Sequence, residues 1–316
     1  MSGELSEKTT FGSLRILNFM RFRRPATLLS VVLVACAVIS LLVRGLNFGL
    51  DFTGGTLVEL SYDRPVNMEQ VRGTLERMGY SDATAQEYGS QRDVLIRLPG
   101  MAAGNDAGVK MARELVVAGG DVVVRRVEFV GPQVGEKLRD QGGLGMLLAL
   151  ALVMLYVAMR FQYKFSFGAV VALAHDSVLV LGLFSLLHLP FDLSVLAALL
   201  AVIGYSLNDT IIVYDRVREN FRKVRRGTPI DVINISLSQT LGRTLATSGT
   251  TIMVLLALFF LGGDMIHGFA TALLAGVVVG TYSSIYIASN MLVYTNVTRE
   301  DLVTPPPAEN EEEIQP

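Results

Sequence analysis

Charge is scarce in this chain, and cysteine and tryptophan are scarcer still. Charged residues make up 18% of its 316 positions, against about 25% in a typical soluble domain. Tryptophan is absent, and the one cysteine, Cys36, lies inside an apolar run. No intrachain disulfide can form, so any domain outside the cytoplasm must fold without one. The sequence has no GxxxxGK[ST] phosphate loop and no HExxH metal pair, and Gly54-Gly55 lacks the strand–helix context of a phosphate site. These absences argue against ATP-driven chemistry and a soluble catalytic centre. The expectation is a non-enzyme with no cofactor, no metal and no nucleic-acid partner. The formal net charge of −2 favours no class of charged partner.

Apolar sequence is abundant instead: 51% of residues are hydrophobic and the mean hydropathy is +0.46. Arg21, Arg23 and Arg24 precede an apolar run over 25–43. That run is too long for a signal-peptide core, and no small-residue cleavage site follows it, so it reads as a membrane anchor. About 19 residues at 1.5 Å each cross roughly the 30 Å hydrocarbon layer. Further apolar runs cover 143–159, 165–187, 193–214, 245–262 and 267–294. Backbone groups in lipid must be satisfied within their own segment, so each run is expected to be a helix.

Lysine and arginine in the short loops set the expected direction. Arg15, Arg21, Arg23 and Arg24 place the N-terminus in the cytoplasm. Arg160 and Lys164 follow the second span; Arg216, Arg218, Arg222, Lys223, Arg225 and Arg226 follow the fourth. The alternate loops, His188–Asp192 and Gly262–Met265, have neither residue type. The expected divisions are a cytoplasmic segment 1–24, helix 1 over 25–45, an external (periplasmic) domain 46–142, and helices 2–6 within 143–294. A short basic cytoplasmic stretch, 214–243, lies between helices 4 and 5. The tail, 295–316, is proline-rich and acidic, so it is expected to be disordered and cytoplasmic.

Inside the external domain, strand patterns at 56–62, 83–88, 94–98 and 121–130 alternate with helical stretches. Asn67 is placed to cap the first helix; Asn105 or Asp106 starts a second, which Gly119-Gly120 ends. The order βαββαβ predicts a small ferredoxin-like α+β unit.

Polar residues within the spans are the informative ones. His175-Asp176 lies near the middle of helix 3, Asn208-Asp209 in helix 4, and Arg243 at the start of helix 5 ahead of Thr247, Thr250 and Thr251. An ionised group at bilayer depth costs about 2.5–3.5 kcal/mol on insertion scales, and such residues mark ion or proton paths. Tyr205, Asn208, Asp209 and Ile212 share helical spacing, as do Arg243 and Thr247. An Asp209–Arg243 pair at roughly 4 Å would gain about 4 kcal/mol at an effective dielectric near 20. The rival for Arg243 is a plain helix-end anchor; for His175 it is a packing histidine. The spacing Gly276-Val-Val-Val-Gly280 allows close helix approach within the bundle or against a second subunit.

These motifs also carry a resemblance. Phe48-Gly-Leu-Asp-Phe-Thr-Gly-Gly-Thr56, Phe129-Val-Gly-Pro-Gln-Val-Gly135, Ala174-His-Asp176, Gly204-Tyr-Ser-Leu-Asn-Asp-Thr210 with Tyr214-Asp-Arg-Val-Arg-Glu-Asn220, and Thr240-Leu-Gly-Arg-Thr244 occur in one order. Together they resemble the SecD/SecF protein-export family, its SecF branch in particular, from about Arg15 to Tyr294. The resemblance implies a six-helix half of an RND-like transporter in the bacterial inner membrane. It also implies a SecD-like partner, a Sec channel, an unfolded preprotein as substrate, and the proton motive force as energy source. By position, Asp209 matches the family's essential helix 4 aspartate, and Arg243 the helix 5 arginine that works with it. Asn208, His175, Asp176 and Thr247 complete the expected proton path. Two rivals remain: half of a proton-driven small-molecule or lipid exporter, and an assembly factor that transports nothing.

Overall fold

The computed structural model describes residues 10–11, 14–81, 83–88, 90–98, 115, 121–224, 227–298 and 301. Among these are six helices long and apolar enough to cross a membrane. They are α1 (Arg23–Arg44), α4 (Pro132–Arg160), α5 (Tyr163–Leu186), α6 (Leu193–Lys223), α7 (Pro229–Leu261) and α8 (Asp264–Ser283). The last continues through a π-helical turn, Ser284–Ala288, into α9 (Ser289–Tyr294). Between α1 and α4 the described residues include two short helices, α2 (Leu50–Thr53) and α3 (Met68–Arg77).

The spanning helices divide by burial. About half of the apolar stretch of α5 and of α6, and nearly as much of the last span, is buried, whereas α1, α4 and α7 are largely exposed. Three inner helices therefore form the core and three outer ones flank it. Tyr214, Phe165 and Phe184 are among the largest side chains wholly withdrawn from the surface.

Several helices are longer than the apolar runs that announce them. The helix α4 begins at Pro132, not at 143, because Pro at its first position suits the helix start and polar residues continue the same helix outside the apolar stretch. The basic stretch 214–243 is also mostly helix. The helix α6 runs on to Lys223, and α7 starts at Pro229 behind a reciprocal cap in which Thr228 and Asp231 bond each other's backbone.

The strand domain carries β4 (Gly55–Tyr62), β5 (Thr84–Tyr88), β6 (Ser90–Leu98) and β7 (Val122–Val130) in the order β5-β6-β4-β7. Every pairing is antiparallel. This is the strand order of a ferredoxin-like sheet, with α3 crossing from β4 to β5. The second helix expected from Asn105 or Asp106 to Gly120 lies outside the described residues. Of that stretch, Leu115 alone is described; it is helical and wholly buried in the domain core with Val58, Leu60, Val71, Leu75 and Ile96. The polar residues 90–92 belong to β6, whose pairing with β5 shifts register between Glu87 and Tyr88 so that Tyr88 pairs with Ser90. Asn67 caps α3 by accepting from Glu69 N.

Two smaller pairings occur among the described residues. The strands β1 (Thr10–Phe11) and β2 (Leu14–Arg15) form a short antiparallel hairpin. The strand β3 (Asn47–Phe48), just after α1, pairs in parallel with β8 (Pro190–Phe191), just before α6.

Candidate functional site

The inner helices bring polar groups together at two places. The first is centred on Asp176 of α5, which is 1% exposed. Its Oδ1 lies 2.8 Å from Nδ1 of the adjacent His175. Its Oδ2 accepts from Ser283 of α8 at 2.8 Å and from Ser206 of α6. A single carboxylate thus ties all three inner helices, and buried polar groups in hydrocarbon need such partners. Close packing makes this possible. A Cβ on Gly276 would collide with Val202 of α6, and one on Gly280 would lie 3.0 Å from the Ser206 Cβ. The Gly276–Gly280 spacing is spent within the bundle, and it draws α8 close enough for Ser283 to meet Asp176. The other ring nitrogen of His175, Nε2, is buried with no partner among the described residues.

The second place is centred on Asp209 of α6, also 1% exposed. Its Oδ2 has no hydrogen-bond partner among the described residues. Arg243 of α7 lies near enough for its charge to act on Asp209. No ion pair joins the two among the described residues, so the direct contact expected from sequence is not made in this conformation. Arg243 is exposed on the outer face of α7. Its neighbour Thr244 points inward, 1% exposed, with its hydroxyl also unpartnered among the described residues. Thr247 turns its hydroxyl onto its own helix, on the carbonyls of Arg243 and Thr244.

Asn208 does not join this interior. It is exposed, while the adjacent Asp209 is buried. An α-helix turns about 100° per residue, so adjacent residues face different directions. Asp209 shares its inward face with Ser206 and Val213, three residues before it and four after. Tyr205 lies at the margin and donates to Ser248 of α7 at 3.3 Å; Ser248 in turn meets Thr281 of α8 at 2.7 Å. Ser206, Ser283, Ser248, Thr281 and Thr244 were not singled out from the sequence. Serine and threonine are common in these spans, and only helix packing shows which of them face a carboxylate.

The π-helical turn directly follows Ser283. Tyr214, wholly buried on α6, donates to the Ala288 carbonyl at its end at 2.9 Å. Single π turns inside α-helices leave backbone carbonyls in need of other partners and occur often at functional sites. Here the turn adjoins the Asp176 node.

Two family models match the chain. Protein export membrane protein SecD/SecF, C-terminal, covers residues 110–298, and the SecD/SecF GG motif covers residues 39–66. The protein translocase subunit SecF of Pseudomonas aeruginosa is 52% identical over 92% of this chain and 94% of its own length. That of Escherichia coli O157:H7 is 42% identical over 92% of this chain and 91% of its own. Among solved structures, the crystal structure of SecDF, a translocon-associated membrane protein, from Thermus thermophilus superposes with a TM-score of 0.80 at 38% identity, over 89% of this chain. A SecDF crystal structure in a super-membrane-facing form gives 0.67 at 37% identity, over 91% of this chain. The present chain spans about two-fifths of those SecDF chains, 39% and 40%. With six apolar spans, a ferredoxin-like strand domain and this similarity along most of its length, the chain belongs to the SecD/SecF family of protein-export membrane proteins, as a multi-pass SecF-type translocase subunit.

Proposed function

We propose that this chain works with a SecD-like membrane subunit and a Sec channel to draw unfolded preproteins across the bacterial inner membrane, driven by the proton motive force. The supporting observation is the state of Asp209, a carboxylate at 1% exposure inside a spanning helix with an oxygen that nothing satisfies among the described residues. Such a group is expensive in a membrane and is retained where protons or ions pass. Asp209 is the proton carrier in this reading. Arg243 is its electrostatic counterpart, and the His175–Asp176 node is a fixed polar anchor beside the route.

The exposed face supports a partner. Asn208 and Arg243 stand on the outer surface of α6 and α7. An arginine facing lipid costs about 2.5–3.5 kcal/mol on insertion scales. Packing of that face against helices of a second subunit removes the cost, and it places the groups at the seam between two half-bundles. The positive-inside pattern puts both termini in the cytoplasm and the strand domain outside. A unit charge crossing 100 mV carries about 2.3 kcal/mol, enough to bias a modest two-state change between helices.

The reading is tested by Asp209→Asn in inverted membrane vesicles that contain the partner subunits. Preprotein uptake that depends on an imposed proton gradient is expected to fall to the level without a gradient. Undiminished gradient-dependent uptake would overturn it.

A further inference from the structure

Seven residues after α1 make an unusual junction. The strand β3 pairs in parallel with β8, and Gly49 N donates to the Phe191 carbonyl at 2.7 Å. Asn47 Nδ2 donates to the His188 carbonyl at 3.0 Å. The Asp51 carboxylate accepts from Leu193 N at 3.0 Å, at the first residue of α6. A carboxylate at that position also meets the positive end of the helix dipole. The rings of Phe48, Phe52 and Phe191 pack together with centroids 5.8–6.2 Å apart. Gly49 is pressed so close that a Cβ there would lie 2.9 Å from the Asp192 Cβ.

What this junction connects gives it a role. The helix α6 carries Asp209, and α2 leads through Gly54 directly into β4, a central strand of the external sheet. We propose that residues 47–53 form a rigid coupling that passes a movement of α6 to the strand domain, and that they are not a hinge. A hinge needs loosely held backbone that can change its torsions. This segment instead has backbone, side-chain and aromatic contacts to β8 and the α6 start, and its helix α2 also packs against α4, where Gly135 approaches Thr53 and Gly54; close-packed contacts transmit displacement. The proposal rests on the proton-driven reading above, in which Asp209 of α6 is the proton carrier.

The test uses the full chain with its partner subunits, in a Cys36→Ser background, scored by gradient-dependent preprotein uptake. Asp51→Ala removes the acceptor at the α6 start. It is expected to lower uptake about tenfold, within the range by which network mutations alter coupling, with subunit level and partner assembly unchanged. Should that variant fail to accumulate, Gly49→Ala is scored by the same criteria. Asn47→Cys with Pro190→Cys, register partners across β3–β8, allows the junction to be closed by oxidation. Closing it in the otherwise unaltered chain should leave uptake unchanged. Closing it in Asp51→Ala should restore uptake, and a reductant should remove the gain. The coupling is overturned by normal uptake in Asp51→Ala, by a defect that oxidation leaves unrepaired, or by a block when the unaltered junction is closed. Normal uptake in a parallel Asp209→Asn preparation overturns the proton-driven reading instead.

Discussion

Asp176 and Asp209 sit on neighbouring inner helices, and each is 1% exposed, yet their surroundings are opposite. Asp176 is saturated: a histidine ring and two serines from two other helices meet its oxygens. Asp209 keeps an oxygen with no partner among the described residues, and Arg243, whose charge acts on it, stands on the exposed face of α7. The same side chain at the same burial thus serves two ends. A saturated carboxylate holds helices together, because moving any of them leaves a donor unpaired in hydrocarbon. An unsaturated one is the group whose state a proton can change at little structural cost.

The comparison breaks most sharply by substitution of the two aspartates. Asp209→Asn should abolish gradient-dependent export while thermal unfolding of the purified assembly stays the same or rises, since removing an uncompensated buried charge relieves a penalty. Asp176→Ala should do the reverse to the fold. With three donors left unpaired, the assembly should lose about 2–3 kcal/mol, seen as a lower unfolding midpoint in detergent. If Asp176→Ala unfolds like the parent chain, the node is not an anchor.

A smaller effect sharpens the same contrast. Ser283→Ala removes one of the three donors, and Asp176 keeps the other two, so a loss of about 1 kcal/mol is expected, read from the same unfolding curve. The strand domain supplies the smallest effect. Hydrogen bonds from Ser61 and Ser90 hold the Asp93 carboxyl below its usual range. Its contribution is therefore complete above about pH 4, the unfolded value. It is lost as pH falls through the lower folded value. Asp93→Asn should flatten the acid limb of the domain's stability by less than about 1 kcal/mol, measured by hydrogen exchange of β4 and β6 between pH 3 and 6.

Much of the fold was legible in the order of residues because it depends on local physics. Apolar length announced each span, since lipid leaves a backbone no other partner. Alternation in 56–62 and 121–130 announced strands whose inward residues form the domain core. Helix ends were less legible. The start of α4 at Pro132 and the continuation of α6 to Lys223 lie in polar sequence, where apolar length is silent.

The candidate site divides along the same line. Composition and spacing by themselves determined that His175, Asp176, Asp209 and Arg243 lie within or at the ends of spanning helices, since an ionisable residue in an apolar run is conspicuous in one dimension. Only the tertiary structure decided that, among the described residues, Asp176 meets three polar partners while Asp209 Oδ2 meets none, that Asn208 faces out, and that Arg243 and Asp209 form no ion pair. Those outcomes depend on the rotation of each helix about its axis and on how closely Gly276 and Gly280 let α8 approach α6. Neither quantity is set within a single helix, because each is a property of the surfaces that meet.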